Sequence, residues 1–221
     1  MFQIKICGIT NVSDAQSAAQ AGADAVGLNF YPASPRFVTG SAAREICNAI
    51  PPQIVRVGVF VNAEAREICR TFDELNLNLI QLHGDEPPDF IARLGNRPVM
   101  RAFRLKRQGL TPILDYLRDC RRLGISPKLV LFDAPAKGVY GGSGQISDWS
   151  LCAQYPRDEH FPPMVLAGGL THMNVAQAIA QVRPSAVDTA SGVECSPGRK
   201  DHAAAAAFVE AARKAFAANN L

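Results

Sequence analysis

The sequence has no apolar run of the ~18–20 residues that a membrane-spanning helix needs, so it reads as a chain with no membrane partner. Its first residues, MFQIKICGIT, alternate like a strand and hold neither the long apolar stretch nor the cleavage site of a secretory leader. A cytoplasmic protein is expected. Six cysteines (Cys7, Cys47, Cys69, Cys120, Cys152, Cys195) are scattered without a CxxC pair or a histidine-containing cluster. Neither a metal site nor a disulfide scaffold is therefore expected, and most of these thiols should be free and buried. Charge of one sign is also scarce: 23 Lys+Arg against 20 Asp+Glu leave +3, too small a surplus for nucleic acid but acceptable to a small anionic metabolite. No G-x-G-x-x-G turn follows the first strand-like run, and no Gly-Lys-Ser/Thr follows Gly141-Gly142-Ser143-Gly144. A dinucleotide fold and a P-loop are both disfavoured, and the second glycine cluster reads better as a loop over a site.

What the chain does have is a repeated pattern. Its 221 residues are 48% hydrophobic and 19% charged, enough to bury one substantial core. Strand-like runs occur at residues 2–7, 24–30, 55–61, 78–83, 98–104, 128–133, 163–168 and 186–189, separated by stretches with helical spacing. Ala65, Ile68, Cys69, Phe72 and Leu75 share one helical face, as do Phe208, Val209, Ala212 and Phe216. Asn62, Thr171 and Asp201 stand where helix N-caps are expected, and Gly22 and Gly124 where helices should end. Eight βα units in a chain near the ~250 residues usual for the fold predict a single-domain (β/α)₈ TIM barrel over residues 1–221. An open doubly wound sheet is the rival.

In such a barrel, active sites gather where strands end and lead into the following helices. Those ends read Cys7-Gly8, Asn29-Phe30, Phe60-Val61-Asn62, Gln81-Leu82-His83-Gly84, Phe103-Arg104, Asp133, Gly168-Gly169 and Asp188. Strand side chains alternate faces, so Cys7 shares a face with Lys5, and Asp133 with Leu129 and Leu131, both looking into the barrel mouth. Gln81 and His83 share a face, and Asp188 points away from Val187 and Thr189. A thiol and a carboxyl at one mouth make an acid–base pair, and Lys5 stands about 7 Å behind Cys7 by strand rise, where it favours thiolate. Cysteine is also a common small core residue, whereas a carboxylate closing the run Leu129–Phe132 must meet a partner, a ligand or solvent. Gly168 and Gly169 after the seventh strand, with Ser191 and Gly192 after the eighth, lie where phosphate-binding barrels present backbone N–H groups. Together they favour a sugar phosphate. Arg36, just after Pro35 in a long loop, offers a fork suited to a carboxylate or phosphate.

With those residues in view, the chain resembles the phosphoribosylanthranilate isomerase family. The matching segments are Lys5-Ile6-Cys7-Gly8-Ile9-Thr10, Ser34-Pro35-Arg36, Val57–Asn62, Gln81–Gly84, Tyr140–Gly144, Leu166–Leu170 and Asp188 through Asp201. Departures are small: Leu28-Asn29 replaces a more apolar pair, Ser143 a threonine and Ser147 a phenylalanine, with Asn29 placed to alter the pocket floor. The resemblance implies an Amadori rearrangement of N-(5-phosphoribosyl)anthranilate to 1-(2-carboxyphenylamino)-1-deoxyribulose 5-phosphate in tryptophan biosynthesis. It implies Asp133 as general acid, Cys7 as general base, Arg36 on the anthranilate carboxylate and Asp188 on the anthranilate side of the pocket. Gly168, Gly169, Ser191 and Gly192 would receive the phosphate, while Gln81 and His83 line the mouth without an assigned step. No metal or cofactor is implied, nor any partner beyond this small substrate, with a monomer or homodimer as the assembly. Two alternatives stand beside it: the related histidine-pathway isomerase, which resembles a carboxylate base where this chain has Cys7, and a non-catalytic barrel that binds phosphate metabolites.

Overall fold

The computed structural model describes residues 2–105, 108–134 and 147–219. Gly141-Gly142-Ser143-Gly144 lies outside the described residues. Eight strands, β1 Ile4–Cys7, β2 Ala25–Asn29, β3 Val55–Phe60, β4 Leu79–Leu82, β5 Val99–Arg104, β6 Leu129–Asp133, β7 Met164–Leu166 and β8 Ala186–Thr189, close into one parallel barrel in chain order. The ring shuts where β1 pairs with β8, Lys5 standing opposite Asp188. Around it run α1 Val12–Gln20, α2 Gly40–Ala49, α3 Ala65–Glu74, α4 Thr111–Arg122, α5 Trp149–Cys152, α6 Val175–Val182 and α7 His202–Asn219. A hairpin, β9 Glu194–Ser196 with β10 Arg199–Lys200, follows β8.

Alternation of side chains sorts the strands into two apolar layers. Phe2, Ala25, Val57, Leu79, Met100, Leu129, Leu131 and Val165 fill the interior of the barrel. Ile4, Ile6, Ile80, Leu82, Val130 and Phe132 instead join the larger cluster beneath the helices. The expected parity of β1, β4 and β6 is thus observed, and it leaves Lys5, Cys7, Gln81 and Asp133 on the inward set.

Some local expectations need correction. Between β4 and β5 the chain forms only a short 3₁₀ helix, Pro88–Leu94, with Pro87 at its N-cap and Pro88 opening its first turn. Asn62 does not cap α3: Glu64 occupies that position, while Asn62 is left-handed at φ 51° and its side chain accepts from the Asp85 N–H. Thr171 accepts from Met173 in a turn that precedes α6, whose N-cap is Asn174. Asp201 does cap α7, accepting from Ala204 N–H at 3.0 Å, and Gly22 and Gly124 follow their helices at φ 91° and 71°. All six cysteines are free, but only Cys47, Cys120 and Cys152 are buried and Cys195 is exposed. Among the described residues no helix is long and apolar enough to cross a membrane, and no group of His, Cys, Asp or Glu side chains is arranged for a metal ion.

Candidate functional site

Cys7 ends β1 beside Gly27 of β2 and is half-buried at the mouth. Two residues back, Lys5 is completely buried, and its ammonium meets Asp188 Oδ1 of β8 at 2.9 Å. Burial opposes the charge on Lys5, yet Asp188 and Cys7 together hold its pKa above the ordinary lysine value. Burial likewise pushes the Cys7 thiol up, against the pull of Lys5, and pushes the Asp188 carboxyl up, again against Lys5. Asp188 is near enough to influence Cys7 on one side and Asp133 on the other.

Asp133 closes β6, buried, with Oδ1 accepting from the Ala134 N–H at 2.9 Å. Its Oδ2 stands 3.4 Å from His83 Nε2, and His83 Nδ1 lies 3.2 Å from the Gln81 side-chain amide. A Gln81 amide nitrogen donating to Nδ1 makes that ring atom the acceptor of the pair. Gln81 and His83, expected to line the mouth, are both buried, and His83 Nε2 stands near Asp133 with no hydrogen bond among the described residues.

Arg36 is brought to the same rim by a pinned loop. Asn29 accepts from Tyr31 N–H and donates to Ser34 Oγ, and Ser34 Oγ accepts from Arg36 N–H at 3.1 Å. The effect of Asn29 is therefore on the loop carrying Arg36. The Arg36 side chain lies across Gly8, where a Cβ would overlap it. Its Nε and Nη2 grip Glu194 of β9 at 2.8 and 2.7 Å, a bidentate pair. Glu194 also meets Lys200 of β10 at 2.8 Å, and Lys200 reaches the Ala190 carbonyl. Burial works against the charge of Glu194, but Arg36 and Lys200 hold its carboxyl below the usual range. The Nη1 edge of Arg36 carries no bond among the described residues. Glu194 and Lys200 had no assigned role in the sequence; the concentration of charge between Asp188 and Asp201 was the available signal.

The loops after β7 and β8 touch at the Leu170 carbonyl. Thr189 Oγ1 donates to the Leu170 carbonyl at 2.7 Å, and Gly192 packs so tightly there that a Cβ would overlap the same oxygen. Ser191 opens a short 3₁₀ turn, Ser191–Val193. Among the described residues no acceptor takes the backbone N–H groups of Gly168, Gly169, Ser191 or Gly192. All four residues are half-buried, in the loops that follow β7 and β8.

Known proteins resemble this chain over nearly its whole length. Residues 4–211 match the family profile described as PRAI, N-(5'phosphoribosyl)anthranilate (PRA) isomerase. A protein of Acidithiobacillus ferrooxidans named N-(5'-phosphoribosyl)anthranilate isomerase is 48% identical over 214 residues, covering 96% of this chain and 98% of that one. The crystal structure of phosphoribosyl anthranilate isomerase from Thermotoga maritima is 38% identical with a TM-score of 0.83, covering 97% of this chain and 100% of that one. A second structure, of such an isomerase with reduced 1-(o-carboxyphenylamino)-1-deoxyribulose 5-phosphate, is also 38% identical, with a TM-score of 0.80 and the same 97% and 100% coverage. On its sequence, its barrel and these likenesses, the chain belongs to the N-(5'-phosphoribosyl)anthranilate isomerase family and is an isomerase of tryptophan biosynthesis.

Proposed function

We propose that this barrel isomerises N-(5-phosphoribosyl)anthranilate by transferring protons between Asp133, the substrate and Cys7. Asp133 protonates the furanose oxygen, and the ring opens to an iminium. The positive nitrogen acidifies the adjacent sugar C–H, Cys7 removes that proton, and the resulting enolamine tautomerises to the ketone. Asp188 lines the anthranilate side, where its negative charge is matched by Lys5. The phosphate is received by Gly168, Gly169, Ser191 and Gly192, whose unclaimed N–H groups suit an anion. Residues 1–221 act as one catalytic domain in the cytoplasm, as a monomer or a homodimer.

The observation that carries this reading is the inward placement of both proton-transfer groups, Cys7 at the end of β1 and Asp133 at the end of β6, on either side of Asp188. Purified protein should discharge the fluorescence of phosphoribosylanthranilate without added metal and should rescue a tryptophan auxotroph lacking this step. Failure in both assays sinks the assignment.

Arg36 is the proposed anchor for the anthranilate carboxylate, bound through the guanidinium edge that Glu194 leaves open. Losing a charge-assisted contact costs ~1.5–3 kcal/mol, so Arg36→Ala should raise KM ~10- to 100-fold while leaving kcat much less affected. Glu194→Gln keeps the shape of the clamp but weakens its grip, and should raise KM by a smaller factor. Steady-state kinetics with both variants checks the order, and an unchanged KM in Arg36→Ala removes Arg36 from the site.

A further inference from the structure

Lys5 is the largest feature of the site that the proton transfers leave unused. Its side chain is wholly buried inside the barrel, where an ammonium is costly unless matched. Asp188 matches it at 2.9 Å. The other neighbour is Cys7, and Gly27 shows how close the two are. A Cβ placed on Gly27 would sit 2.7 Å from Cys7 Sγ and 3.1 Å from Lys5 Nζ, so both atoms lie over one bare Cα of β2.

We propose that Lys5 and Asp188 form an opposed pair that sets how readily Cys7 gives up its proton, Lys5 drawing the thiol toward thiolate and Asp188 restraining it. Lys5 is thus a positioning residue that acts through Cys7, and its consequence for turnover rests on the reading of Cys7 as the base.

The charges around the sulfur support the balance. Lys5 faces it from its own strand, Asp188 from β8, Arg36 from the loop after β2 and Lys200 from β10, while β2 contributes only Gly27. Asp133 of β6 and His83 after β4 reach it through Asp188. Glu194 is shared by Arg36 and Lys200, and Asp188 is taken by Lys5. Lys5 and Lys200 thus draw Cys7 toward thiolate, while burial and Asp188 oppose them. Cys7 is the half-exposed member of the group.

The test is the rate at which iodoacetamide alkylates Cys7 across pH, read by peptide mass spectrometry because Cys69 and Cys195 are also reachable. In Asp188→Asn the buried ammonium is left with Cys7 as its nearest anionic partner, and alkylation at neutral pH should rise ~10-fold as more of the thiol ionises. In Lys5→Met it should fall ~10-fold. Lys5→Met alone strands a buried carboxylate and can fail to fold. The double variant, Lys5→Met with Asp188→Asn, removes both charges and should fall between the wild type and Lys5→Met. Equal rates in all folded variants, or Asp188→Asn reacting more slowly than wild type, overturn the proposal. Because alkylation needs no substrate, the ordering remains readable even if Cys7→Ala turns over normally and the base lies elsewhere.

Discussion

Cys7→Ala should lower kcat at least ~100-fold, with KM changed much less, because it removes the group proposed to take the sugar proton. The neighbours cannot substitute. Lys5 is held in its charged form by Asp188 and Cys7, so it has no lone pair to offer. Asp188 is committed to Lys5 through a buried 2.9 Å ion pair, and using it as a base would strip that ammonium of its counter-ion. Alanine should fit where the thiol stands half-exposed, so the thermal midpoint should move little. Cys7→Ser tests chemistry rather than shape, since its hydroxyl is a far weaker acid and should recover almost none of the rate. Steady-state kinetics by substrate fluorescence measures both variants. Turnover within about threefold of wild type in Cys7→Ala would reassign the base, with Asp188 the first candidate. The pH profile adds a second sign: a base works only after losing its proton, so the fall in wild-type activity at acid pH should be absent from whatever rate the alanine variant retains.

Much of this barrel was legible because a parallel strand covered on both faces must be apolar over several residues, and eight such runs stand out from polar helix surfaces. Alternation then carried the reading inward: once Leu129 and Leu131 face the interior, Asp133 must follow them to the mouth. Asn62 departs from its expected cap because its side chain is equally able to cap a helix or to serve another segment. Its oxygen goes to Asp85, 23 residues on, and its left-handed backbone ends the strand before the helix begins. The charge pairs were the least legible. Arg36 and Glu194 are 158 residues apart and Lys5 and Asp188 are 183 apart. No local spacing encodes such partners; closure of the ring brings them together. The sequence therefore displayed Arg36 as a lone fork, and only the folded hairpin of β9 and β10 reveals that one edge of it is already taken.

Asp133→Asn should also reduce kcat at least ~100-fold, and it isolates the proton from everything else the carboxyl does. The amide has the same shape, still accepts from the Ala134 N–H, and still faces His83 across the gap now spanned at 3.4 Å. What it cannot do is release a proton to the furanose oxygen, so ring opening should become limiting while substrate affinity stays near that of the wild type. The split between kcat and KM separates this from a packing defect, which would raise KM along with the loss of kcat. His83 provides the internal check, because its Nε2 stands 3.4 Å from Asp133 Oδ2. His83→Asn should lower kcat by a smaller factor than Asp133→Asn and leave KM near that of the wild type, both read by steady-state kinetics. If Asp133→Asn turns over within about threefold of wild type, the acid is another group, and Gln81, His83 and Asp133 serve only to hold the mouth in shape.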